Sequence, residues 1–177
     1  AQQIAADLKR YSGGHPDIHV SGGMAFIHGK YPVYQAADDA ADALNSAKEC
    51  DGKSAFTFLG QTWKWTEFEK LYAKSDRVRK LIQEYQGPTS LIQLLRRLAH
   101  DEADSAKRTN GRPVWGPWMW HGTYRLFRMA RQYEQSKPEV AAELTAIRRE
   151  LAANDYSEIG QWGAAARWVH LILRESD

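Results

Sequence analysis

The chain has 177 residues, 43% of them apolar and 26% charged, which excludes a disordered tail and allows one domain or two small ones. No run of about 18 or more apolar residues occurs and no charged-then-apolar leader is present, which argues against membrane insertion and secretion. Lys plus Arg (24) against Asp plus Glu (22) leaves a net charge of +2, too mild to imply nucleic-acid binding by itself. A single cysteine, Cys50, excludes an internal disulfide and a cysteine zinc site, and fits a reducing cytoplasm. Ala1 in first place reads as a processed chain or a piece of a longer one.

Along the chain, Ile4, Ala5 and Leu8 at helical spacing predict a first helix, stopped at Ser12-Gly13-Gly14. Residues 18–28 form a nearly continuous apolar run, broken by Gly22-Gly23, that reads as a strand buried on both faces. After the turn at Lys30-Tyr31-Pro32 comes a helix with Val33, Ala36, Ala37, Ala40, Leu44 and Ala47 on one face. Asp51-Gly52 breaks it, and residues 54–59 read as a second strand, closed by Gly60. Two strands make a marginal sheet, so residues 1–62 look like half of something whose other strands come from upstream or from another chain.

From residue 66 the period is helical throughout. Thr66 with Glu69, and Ser136 with Glu139, have capping-box spacing, and Ser90 can cap the helix between them. The expected apolar stripes are Phe68, Leu71, Tyr72, Val78, Leu81, Ile82 and Tyr85; then Leu91, Leu94, Leu95 and Leu98; then Tyr124, Phe127, Ala130 and Tyr133. Two more follow, with Val140, Leu144, Ile147 and Leu151, and with Trp162, Ala166, Val169 and Leu173. Five helices with short links predict a bundle.

Chemistry-bearing residues are few. Ser21-Gly22-Gly23 offers a hydroxyl and open amides to a base, ribose or phosphate, or is a bulge or a tight packing point. Lys48 is a helix C-terminal cation, or a point charge for a triphosphate. Asp38 and Asp39 lie opposite the apolar stripe and read as a solvated face, not a metal pair. The six histidines lack ligand spacing, and Cys50 lacks a partner that would make it a nucleophile. Residues 77–131 hold eleven Lys or Arg against four acids, with Trp115, Trp118, Trp120, Tyr124 and Phe127 interleaved. That mixture, including Arg125 and Arg128, reads as a bundle core with a solvated basic face, a subunit interface, or a single-strand nucleic-acid surface, the first two being favoured over the third.

The run Ser21-Gly22-Gly23-Met24-Ala25, the turn Lys30-Tyr31-Pro32-Val33, and the helix end Ala43-Leu44 with Ala47-Lys48 resemble the palm domain of the large, cyclase-bearing subunit of type III CRISPR effector complexes. A strand like residues 54–60, then a Trp (here Trp63 or Trp65), continues the likeness. More weakly, residues 118–131 and 164–174 resemble helices of that subunit's C-terminal region. The resemblance implies an α+β chain: residues 1–62 as the C-terminal half of a ferredoxin-like nucleotide-cyclase palm, ordered α-β-α-β, and residues 66–177 as an α-helical bundle.

It further implies a palm that makes cyclic oligoadenylates from ATP with Mg2+ or Mn2+ once target RNA is bound. The G-G-D-D turn that holds the metal in that family is absent here, as is its HD nuclease region, so no catalytic or metal residue is expected in this chain. By position Ser21 and Gly22 fall near the nucleotide, and Lys48 near its phosphates. The implied partners are the remainder of the large subunit, small helical and backbone subunits, and guide and target RNA, in the cytoplasm with no membrane. The alternatives are a non-catalytic scaffold of such a complex, or a helical module that binds single-stranded nucleic acid.

Overall fold

The computed structural model describes residues 2–15, 17–27, 29–50, 52–108 and 116–174. It is α+β and mostly helical, with one small mixed sheet. The chain divides into two compact units, Ala1–Lys70 and Leu71–Asp177. The division falls inside a helix, a few residues past positions 63–65 where the sequence pattern changes.

In the first unit, helix α1 (Gln2–Tyr11) is followed by strand β1 (Gly22–Gly23), helix α2 (Val33–Glu49), and strands β2 (Ala55–Phe58) and β3 (Gln61–Lys64). β1 runs parallel to β2, with Gly22 opposite Phe56, and β2 is antiparallel to β3, with Phe56 opposite Trp63. β2 is therefore central and buried along its whole length. Its second neighbour comes from within this chain, which corrects the expectation of two orphan strands.

The hairpin turns through Leu59 and Gly60, both at positive φ (53° and 75°). Two left-handed residues match the twist of a tight hairpin, although Leu adopts that region with strain. The core of this unit is aromatic: Phe68 lies 5.0 Å edge-on to Phe56 and 5.6 Å edge-on to Phe58. Trp65 joins the group, with its Nε1 donating to the Val20 carbonyl at 2.9 Å.

The buried strand expected over residues 18–28 is much shorter. Only Gly22 and Gly23 pair in the ladder, and Met24, Phe26 and Ile27 are 45–50% exposed. An apolar run can be buried only where something lies on each side of it; Phe26 meets Phe58 edge-on at 5.4 Å, yet about half of its surface, like that of Met24 and Ile27, stays exposed.

The second unit begins within α3 (Trp65–Gln83) and continues through α4 (Ser90–Arg108), α5 (Pro117–Tyr133), α6 (Pro138–Ala153) and α7 (Ile159–Arg174). The α4 and α6 stripes lie where the periodicity puts them, with Leu91, Leu95, Val140, Leu144 and Ile147 all at 0% exposure. Gly163 on α7 lets that helix close on Ala99 of α4, where an added Cβ would collide with the Ala99 methyl.

Three expectations fail in this half. The inward face of α5 is Trp118, Met119, Gly122, Leu126 and Ala130, while Tyr124 and Phe127 face outward. Tyr72 on α3 and Tyr85 just beyond its end are about half exposed, and Lys74 on α3 is buried in their stead. Neither capping box forms. Glu67, not Glu69, accepts the Lys64 N–H at 2.9 Å, and α6 starts on Pro138 without a side-chain cap. Pro at the first helical position needs no cap for its own nitrogen.

Candidate functional site

β1, α2 and β2 form a parallel crossover, and its tightest point is Gly23. A Cβ there would meet the Leu44 nitrogen and stand 2.6 Å from the Ala43 carbonyl carbon, both backbone atoms of α2. Only a residue without a side chain lets α2 lie this close to the strand. Gly22 plays a softer version of the same part, since its Cβ would meet the movable ring of Phe56 at 2.7 Å.

Ser21, just ahead of β1, donates its hydroxyl to the Lys53 carbonyl at 2.7 Å, fixing the loop after α2 to the start of the strand. With its proton so committed, the oxygen is left as an acceptor. Lys48 lies one turn beyond Leu44, in the last turn of α2, and is exposed. Ser21, Gly22 and the end of α2 are thus all anchored around one crossover. A hollow of about 430 Å3 in the same unit is lined instead by residues that include Lys9, His15, His19, Ser54 and Glu69, and by none of Ser21, Gly22 and Lys48.

Tyr31, in the turn before α2, donates its hydroxyl to Asp39 on that helix at 2.7 Å, and that bond, followed by partial desolvation, raises the Tyr31 pKa. Asp38 and Asp39 are exposed. Among the described residues no three His, Cys, Asp or Glu side chains gather to hold a metal ion. His15 meets Asp17, its Nδ1 accepting the Asp17 N–H at 3.3 Å.

In the helical unit the residues expected at one surface separate. Trp118 is only 9% exposed and packs edge-on against Tyr156 at 5.5 Å, so it belongs to the core. Arg125 and Arg128 are exposed. Trp115 lies outside the described residues.

A buried ionic group escaped the sequence reading altogether. Lys74 Nζ donates to Glu158 at 2.6 Å and to Gln161 at 2.9 Å, and lies 5.6 Å from the Trp162 ring centre. Arg77 donates to Glu143 at 2.8 Å and Glu150 at 2.7 Å from the neighbourhood of the same ring. Burial alone would lower the Arg77 pKa, but the bonds to Glu150 and Glu143 outweigh it and raise it. These contacts tie α3 to α6 and α7.

Among the described residues no helix is long and apolar enough to cross a membrane. Comparison of the chain with protein-family models, with curated proteins and with solved structures finds no match.

Proposed function

We propose that the chain is the C-terminal part of the large, palm-bearing subunit of a type III CRISPR RNA-guided effector complex. Its sheet unit supplies one side of a nucleotide pocket in which ATP is joined into cyclic oligoadenylates, and its helical unit docks on neighbouring subunits. The observation that carries the proposal is the unfinished sheet. β1–α2–β2 packs its helix directly on Gly23, yet the chain running on from β1 leaves Met24, Phe26 and Ile27 half exposed. A sheet half that seats its own helix but leaves such side chains in water is suited to receive strands from elsewhere.

Within this pocket the chain's own residues bind and orient the nucleotide. Lys48 places an ammonium beside the phosphates, and Ser21, whose proton goes to Lys53, accepts from a ribose hydroxyl or an adenine amine. The divalent ions of the reaction have no ligand set among the described residues, so the proposal leaves them, and the in-line step they assist, to the preceding half of the palm.

The test is reconstitution of the chain with that half in the RNA-guided complex, supplied with ATP, Mg2+ and target RNA. The parent makes oligoadenylates. Lys48→Ala lowers the initial rate by about 10-fold or more, as loss of a charge-assisted contact does. Unchanged synthesis would remove Lys48 from the pocket. Assembly without ATP consumption would give the non-catalytic scaffold instead, and failure to associate with any palm half would end the proposal.

A further inference from the structure

Helix α5 presents two adjacent ridges to solvent. Arg125, Arg128 and Arg131 recur every three residues along one, and Tyr124 and Phe127 form the other. All five are exposed, Tyr124 at 59% and Phe127 at 44%. On the α4 side they line a groove of about 1090 Å3 whose far wall includes Arg97. On the α6 side lies a second hollow, about 690 Å3, that shares Phe127 and Arg131 with the first and adds Arg148 and Arg149. The two join along α5 into one track.

Six arginines line that track against a single acid, Glu134. Arg97 lies a loose 4.0 Å from Asp101, and among the described residues no carboxylate pairs with Arg125, Arg128 or Arg131. The charged groups meet rings instead. Arg128 lies 5.8 Å from the Tyr124 ring centre, and Arg148, whose enclosed Nε finds no hydrogen-bond partner among the described residues, lies 5.7 Å from that of Phe127.

Like charges at this spacing destabilise a helix unless an anion answers them. A single small anion would leave most of the track empty, so its length and joined hollows suit a polyanion. The exposed rings decide which one. Their π faces add binding only to a polymer with unstacked planar groups, which a duplex withholds and a single strand offers.

We infer that the α5 track is a binding surface for single-stranded nucleic acid, with phosphates along the arginine ridge and bases on Tyr124 and Phe127. The inference stands on the helical unit alone and does not depend on the palm proposal.

The experiment is fluorescence anisotropy of the full chain with a labelled oligouridylate, over a series of salt concentrations. A duplex of the same length and anionic phosphatidylserine vesicles serve as competitors. Three arginine–phosphate contacts give a log Kd against log salt slope of about 2, and each Arg→Ala change at Arg125, Arg128 or Arg131 flattens it by about 0.7. Tyr124→Ala weakens binding by about fivefold or more without changing that slope, the signature of lost stacking as opposed to lost charge. Lys70→Ala, an exposed cation that lines neither hollow, binds as the parent does. The inference is overturned if the triple arginine variant keeps parental affinity with a parental circular dichroism spectrum. It is equally overturned if the duplex competes as well as the single strand, or if only the vesicles bind in an arginine-dependent way.

Discussion

The sheet unit and the helical unit draw on similar apolar content and finish it differently. In the helical unit each amphipathic stripe meets another. Leu81, Leu91, Leu95, Leu126, Leu144 and Trp162 all reach 0% exposure. In the sheet unit the stripe of α2 seals only at Ala47, while Val33 stays 83% exposed and Ile4, Ile18, Phe26 and Ile27 remain half exposed or more. Apolar burial contributes roughly 25 cal/mol per Å2 removed from water, so the helical unit realises most of what its sequence offers and the sheet unit leaves much unrealised. Pattern states which face is apolar. It does not state whether a partner is there to cover it.

That contrast has direct consequences for stability. Trp162 is fully enclosed and also supports Lys74 and Arg77, so Trp162→Ala should cost about 3–5 kcal/mol in urea unfolding followed by helical signal. A loss under about 1 kcal/mol would show the bundle to be no better filled than the sheet unit. Gly23→Ala forces a methyl against backbone atoms of α2, and overpacking of this kind costs about 1–3 kcal/mol. Hydrogen exchange should quicken at residues 22–24 and 55–58 while the amides of α4 and α7 keep their protection. Equal loss in both regions would mean that the two units unfold as one and that the contrast in burial has no energetic counterpart.

Where helices pack on helices, the sequence was readable. Val140, Leu144, Ile147 and Leu151 of α6 repeat at three and four, and all are buried. Failures arose where a distant segment decides the outcome. β3 was missed because its side chains are mostly exposed and its turn is Leu59-Gly60, not the usual Asn-Gly. Residues 18–28 were overextended as a strand because composition cannot show that β2 offers pairing only near Gly22 and Gly23. Lys74 was passed over because a charge on a helix face reads as solvated, and its partner Glu158 lies 84 residues away. At the candidate nucleotide site, the resemblance singles out Ser21, Gly22 and Lys48, but the crossover that positions Ser21 and Gly22 and the Ser21 hydrogen bond to Lys53 needed coordinates. At the basic surface, pairing of aromatic and cationic residues was visible, yet only helix geometry separated Trp118, which points inward, from Tyr124 and Phe127.

The smallest expected effect divides buried from surface charge within α3 itself. Lys74 and Arg77 make their ion pairs in partial burial, whereas Asp76, between them in sequence, bonds Arg79 at 2.7 Å and Lys80 at 2.9 Å toward solvent. The Arg79 bond, then that of Lys80, holds the Asp76 carboxyl below its ordinary pKa of 3.8. A carboxyl that is more acidic folded than unfolded binds fewer protons when folded, so it favours folding at neutral pH. That contribution is complete above the ordinary value and disappears as pH falls through the lowered one. Asp76→Asn should therefore lower the melting temperature slightly at pH 7, less so in high salt, and leave it unchanged well below pH 3.8, about the ordinary carboxyl value. Should the same difference persist in acid, the carboxylate would be acting through packing or local helix propensity, and the line drawn here between the enclosed and the solvated charges of α3 would have to move.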